Sequence, residues 1–211
     1  MVYDNIGNIY LSEKKLDKAI PFFEDALQLR RLLNEPKSIA STLNNLAVAY
    51  IENKDYKKAI EYLTESVAIF EQLRLTARIE LRKYFLNAQI ASYHNLILAL
   101  VKNKEFDKAF HYIELSRAKQ LAETIAKDAN LTTPLLKDVM REMNDSTMAI
   151  VFTAVDNAEI IIYGITKDTV SVVTESKEMF LRNILNDIAI RELVIANSIC
   201  MKSKITDVFI E

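Results

Sequence analysis

Glycine and proline are nearly missing from this chain. Two glycines and three prolines in 211 residues are too few for an all-β fold rich in tight turns; they favour long helices with short connections. A single cysteine, Cys200, excludes a disulfide framework or a cysteine-rich zinc site within the chain and fits a reducing, cytoplasmic setting. Two histidines beside one cysteine give no metal-ligand spacing. Gly7 and Gly164 stand alone, so neither belongs to a glycine-rich phosphate loop. No cofactor and no metal is expected. Charge of one sign is not in excess: 27 basic against 29 acidic residues leave a net charge of −2, and nothing in that balance asks for nucleic acid as a default partner. No apolar run approaches the roughly 18 residues of a membrane span. MVYDNIGNIY lacks the basic and apolar segments of a signal peptide.

What is present is a repeat. Leu43 to Phe70 reads as two amphipathic helices joined by the polar turn Glu52-Asn53-Lys54-Asp55. Leu46, Ala47 and Tyr50 share one helical face, and Ala59, Leu63 and Ser66 share another. The same six positions occur forty residues earlier as Ile6, Gly7, Tyr10, Ala19, Phe23 and Ala26. They recur fifty residues later as Leu96, Ile97, Leu100, Ala109, Ile113 and Ser116. The turns SEKKLDKA, ENKDYKKA and KNKEFDKA align without a gap. A two-helix unit cannot bury both apolar faces alone, so such copies must stack.

These residues resemble the tetratricopeptide repeat (TPR), whose pattern is large, small, aromatic on helix A and alanine, aromatic, alanine on helix B. The resemblance covers about residues 1–119 and implies an α-solenoid that binds a protein or peptide in its groove. Copy three departs most, with Ile97 at the small position, which should push its helix pair apart or alter the local twist. Lys14, Lys54 and Lys104 stand where the family often has a turn glycine. The forty-residue spacing exceeds the family's usual value of about 34, with the surplus expected around Leu33–Lys37. From Leu75 to Ala91 longer helices are expected. Arg74, Arg78 and Arg82 would line one side there, as a solvated face partly neutralised by Glu71 and Glu80. Met1 falls where the first copy has barely begun, so the chain reads as cut from a longer protein or begun at an internal methionine.

Beyond a long helix ending near Asp128 and a break at Asn130–Pro134, the character changes. A short helix to about Met143 precedes Thr147–Val155, Glu159–Thr166 and Val170–Val173, which read as strands. Asp156-Asn157 marks a hairpin, and Ile160, Ile161 and Ile162 mark a strand buried on both faces. A helical pattern resumes from about Lys177. Ser116-Arg117-Ala118-Lys119-Gln120-Leu121, followed by this order, resembles the helix and opening of a CHAT domain, a caspase-like domain found after TPRs. The resemblance implies a cysteine peptidase whose His and Cys segments would follow Glu211. The fold expected is thus an α solenoid over 1–130, then a truncated α/β caspase-like part over 131–211.

The chain itself should not be catalytic. Cys200 continues a helical pattern without a nearby histidine and reads as a structural thiol. His94 and His111 belong to the repeats, far in sequence from it. The candidate site is instead Asn5, Asn45 and Asn95, which share one repeat position before the large apolar residue. An amide there can donate to and accept from an extended peptide backbone; alternatively, each Asn bonds the neighbouring helix and holds the stack. Asp4, Asn44 and His94 stand one residue earlier, at the expected groove edge. Three functions fit: the regulatory TPR part of a caspase-like peptidase, a non-enzymatic adaptor, or a peptide-responsive signalling regulator.

Overall fold

A computed structural model describes residues 2–125, 135–143, 149–154 and 159–176. The chain divides into two compact units, residues 1–131 and 132–211.

Among the described residues the first unit comprises six antiparallel helices: α1 Val2–Ser12, α2 Leu16–Leu32, α3 Pro36–Glu52, α4 Tyr56–Thr76, α5 Ile79–Lys102 and α6 Phe106–Ile125. Each packs chiefly on its sequence neighbour. Every signature position of the three copies is buried except Ile6 and Tyr10, which are half-exposed. Gly7 lies against Phe23, and copy two trades bulk between the matching positions with Ala47 and Leu63; copy three has Ile97 and Ile113 there, both buried, with no loss of bulk at Ile113 to offset the larger Ile97. Phe23, Leu63 and Ile113 are fully buried, each such side chain contributing about 1.5–3 kcal/mol.

Four of the connections close in the same way. Lys14, Asn34, Lys54 and Lys104 take φ of 57°, 53°, 61° and 62°. The next N–H then reaches back to a carbonyl in the preceding helix, as from Asp55 to Tyr50 at 2.9 Å and from Glu35 to Arg30 at 3.2 Å. This satisfies carbonyls that a helix end would otherwise leave open. The connection before Pro36 is therefore no longer than the turns within a copy. The surplus spacing lies in helix length, with α2 and α3 at 17 residues each, and not around Leu33–Lys37. Pro36 occupies the first turn of α3, where its missing N–H costs nothing. Asp55 caps α4 by accepting from the Lys58 N–H at 3.3 Å. Lys58 lies over the Tyr50 ring, which stacks on Tyr62; Lys18, Tyr10 and Phe22 repeat the arrangement one copy earlier.

The α4–α5 connection differs. Ala77 and Arg78 are both extended, with ψ of 153° and 152°. Long helices do flank it, at 21 and 24 residues. The break corrects the expected arginine stripe, because Arg74 and Arg78 do not share a helix. Arg74 pairs with Glu71 at 2.9 Å, and Arg78 is exposed at the start of α5.

In the second unit, α7 Leu136–Glu142 precedes β1 Ala149–Ala154, β2 Glu159–Ile165 and β3 Val170–Ser176. The strands form an antiparallel sheet in the order β1-β2-β3, pairing Ala149 with Ile165 and Ile165 with Val170. Ile160 and Ile161 of the middle strand are both buried, on opposite faces, while Ile162 is half-exposed. Lys167-Asp168 forms the second turn, closed by the Thr166 N–H donating to the Thr169 carbonyl at 2.8 Å. The Asp156-Asn157 turn, Asn130–Pro134, Cys200 and the helical pattern from Lys177 lie outside the described residues.

Candidate functional site

Helices α1, α3 and α5 are the first members of the three pairs. Among the described residues, α3 touches both α1 and α5 directly, while any contact of α2 with α4 or α4 with α6 is slighter. The first helices of copies two and three thus lie closer to each other than the second helices do. On α3 the solvent-facing stripe is Ser41, Asn45, Val48 and Glu52; on α5 it is Ala91, Asn95, Leu98 and Lys102. Spacings of four, three and four keep each stripe on one face.

The asparagines do not behave alike. Asn5 is exposed and Asn45 half-exposed, and neither side chain makes a hydrogen bond among the described residues. Asn95 donates from Nδ2 to Oδ1 of Asn44 at 3.0 Å, joining α5 to α3. One amide N–H and the carbonyl oxygen of Asn95 remain, as do both N–H groups of Asn44. For Asn95, bonding to the neighbouring helix is therefore real. Lys37 lies over the Tyr84 ring at 4.8 Å, a second α3–α5 contact. His94 is half-buried.

Asp4 is not at the groove edge. It is buried, and Arg30 Nη2 pairs with its Oδ2 at 2.7 Å. Arg30 also donates to the Ser38 carbonyl at 2.7 Å and to the Thr42 hydroxyl. Thr42 in turn has Asp4 Oδ1 at 2.8 Å and the Ser38 carbonyl at 3.0 Å for its one proton. This network ties α1, α2 and α3 together. At the next interface Ser66 donates to the Ala40 carbonyl at 2.8 Å and lies 2.9 Å from Ser92 Oγ, tying α3, α4 and α5.

Val48 and Leu98 were not singled out from the sequence. They stand three residues after Asn45 and Asn95 and are half-exposed beside them. The signal was available in the repeat offset, which also aligns Asn8. No group of acidic, histidine or cysteine side chains among the described residues is arranged to hold a metal ion. No helix among them is long and apolar enough to cross a membrane.

Residues 1–72 match the family model of the tetratricopeptide repeat. No curated protein matches the chain. The stacked pairs and this match define the first unit as a helical-repeat solenoid, the architecture of a protein–protein interaction scaffold.

Proposed function

We propose that the solenoid receives an extended peptide segment of a partner protein along the stripes of α1, α3 and α5. The observation that carries this reading is Asn45: half-exposed, unbonded, and in repeat register with Asn5 and Asn95. Its amide matches the alternating donors and acceptors of an extended backbone irrespective of that segment's sequence. Val48 and Leu98 supply apolar ground for one or two side chains of the segment. Asn95 has a mixed part, holding Asn44 with one N–H and offering the rest of its amide. Peptides selected by display against the full chain provide the ligand. Asn45→Ala is expected to weaken their binding about fivefold or more at unchanged thermal stability, the loss of about one hydrogen-bonded contact. Equal binding in wild type and variant, or a matching loss of stability, would sink the groove reading.

The second unit we read as the start of a CHAT-type, caspase-like domain under the control of the solenoid. The support is the order of α7, β1, β2 and β3 after the helix bearing Ser116, Arg117 and Ala118. Reading the gene past Glu211 tests it: a histidine segment and a later cysteine segment are expected, and a nearby stop codon contradicts it.

A further inference from the structure

Copy three carries more helix than copy two at one end. Offset by fifty residues, α3 and α5 finish together at Glu52 and Lys102, yet α3 has 17 residues and α5 has 24. The surplus, residues 79–85, adds nearly two turns, or about 10 Å, at the start of α5. It prolongs the solvent-facing stripe of that helix. Stepping back from Asn95 by four, three and four residues reaches Ala91, Ala88 and Tyr84, and three more reach Leu81. Leu81 and Tyr84 are 51% and 49% exposed. Fifty residues earlier stand Arg31 and Asn34, both polar, at the α2–α3 connection. Copy two therefore has no such apolar ledge.

The ledge meets a cation. Lys37 continues the α3 stripe, four residues before Ser41, and its ammonium lies 4.8 Å from the centroid of the Tyr84 ring. It donates to the Tyr84 hydroxyl. An ammonium has three N–H groups, so two remain. Lys15 and Lys108 are neutralised by Glu13 and Glu105. Lys37 is exposed and pairs with no carboxylate among the described residues. An uncompensated ammonium beside two exposed apolar side chains suits a ligand that carries a carboxylate and a bulky apolar group close together. In an extended segment, side chains two positions apart lie on one face, about 7 Å from each other. That spacing fits the step from the Lys37 ammonium across the Tyr84 ring toward Leu81.

We propose that the peptide segment received by the stripes carries an aspartate or glutamate and, two positions away, a bulky apolar residue. The carboxylate pairs with Lys37, and the apolar side chain lies on Leu81 and Tyr84. This rests on the groove reading and adds side-chain selection to it: Asn45 meets the segment's backbone, and the start of α5 meets its side chains.

Peptides selected by display against the full chain test it. Their expected consensus has an acidic and an apolar residue at a separation of two. For the tightest binder, Lys37→Gln should weaken binding about threefold, the scale of an exposed ion pair. Changing the peptide's acidic residue to its amide should weaken binding equally, with no further loss when the two changes are combined. Leu81→Ser should weaken binding at an unchanged far-ultraviolet spectrum; if it loses helix, Leu81→Gln is read in its place. Lys57→Gln, which removes an exposed lysine of α4, should leave binding unchanged. Binders that depend on Asn45 but lack the acidic residue, or that ignore Lys37→Gln, overturn this proposal and leave the groove reading standing. An equal loss in Lys57→Gln overturns it too, since net charge alone would then explain the effect. Binders that depend on Lys37 and Leu81 but not on Asn45 support the ledge and sink the groove reading. A selection without binders overturns both.

Discussion

The Phe23 ring lies so close to Gly7 that a methyl group on Gly7 would stand 2.6 Å from Cε1 and 2.8 Å from Cδ1. Copy two solves the same contact with Ala47 and Leu63. Gly7→Ala should therefore destabilise the solenoid. Overpacking costs about 1–3 kcal/mol, against about 1 kcal/mol gained from better helix propensity. In a Phe23→Leu background the clash is gone and the propensity gain remains, so the same substitution should become stabilising. Urea midpoints of the four chains of this cycle check the change of sign; an identical effect in both backgrounds refutes it.

Lys54 holds φ at 61° with a side chain that disfavours it. Lys54→Gly should stabilise by about 0.5–1 kcal/mol, because relief of left-handed strain exceeds the added freedom of the unfolded chain. The same gain is expected at Lys14 and Lys104. Thermal denaturation measures it, and a lower midpoint at all three positions would contradict the account of these turns.

Asp4 and Arg30 are a nearly buried pair, with side chains 8% and 14% exposed. Removing one partner strands the other, so Asp4→Leu should cost about 3–5 kcal/mol. Copy two carries Phe70 where copy one has Arg30. The double variant Asp4→Leu, Arg30→Phe should accordingly be more stable than Asp4→Leu alone. A double-mutant cycle by chemical denaturation gives the coupling, and additive losses would show that the pair is not coupled.

The stack itself was legible in the sequence because its signal is periodic. Six positions and a charged turn recur at fixed offsets, and each recurrence names a buried face. The strand positions were legible for a similar reason, in the β-branched runs on either side of Lys167-Asp168. What periodicity does not name is the residue across an interface. Asp4 looked like a groove position because its counterparts Asn44 and His94 do. Its burial depends on Arg30, on another helix, at a place where the next copy has phenylalanine. The Asn44–Asn95 bond was hidden likewise, since it joins two different repeat positions of two copies. The break at Ala77-Arg78 escaped because it uses extended backbone, without glycine or proline to mark it.

Ser66 bonds backward to Ala40 and laterally to Ser92, so one hydroxyl is shared by α3, α4 and α5. In a linear array, each unit's persistence is set by its coupling to its neighbours. Through Ser66 the pairing of α3 with α4 inside the middle copy and the stacking of α4 on α5 of the next copy share one buried atom, so neither contact can be released without disturbing the other.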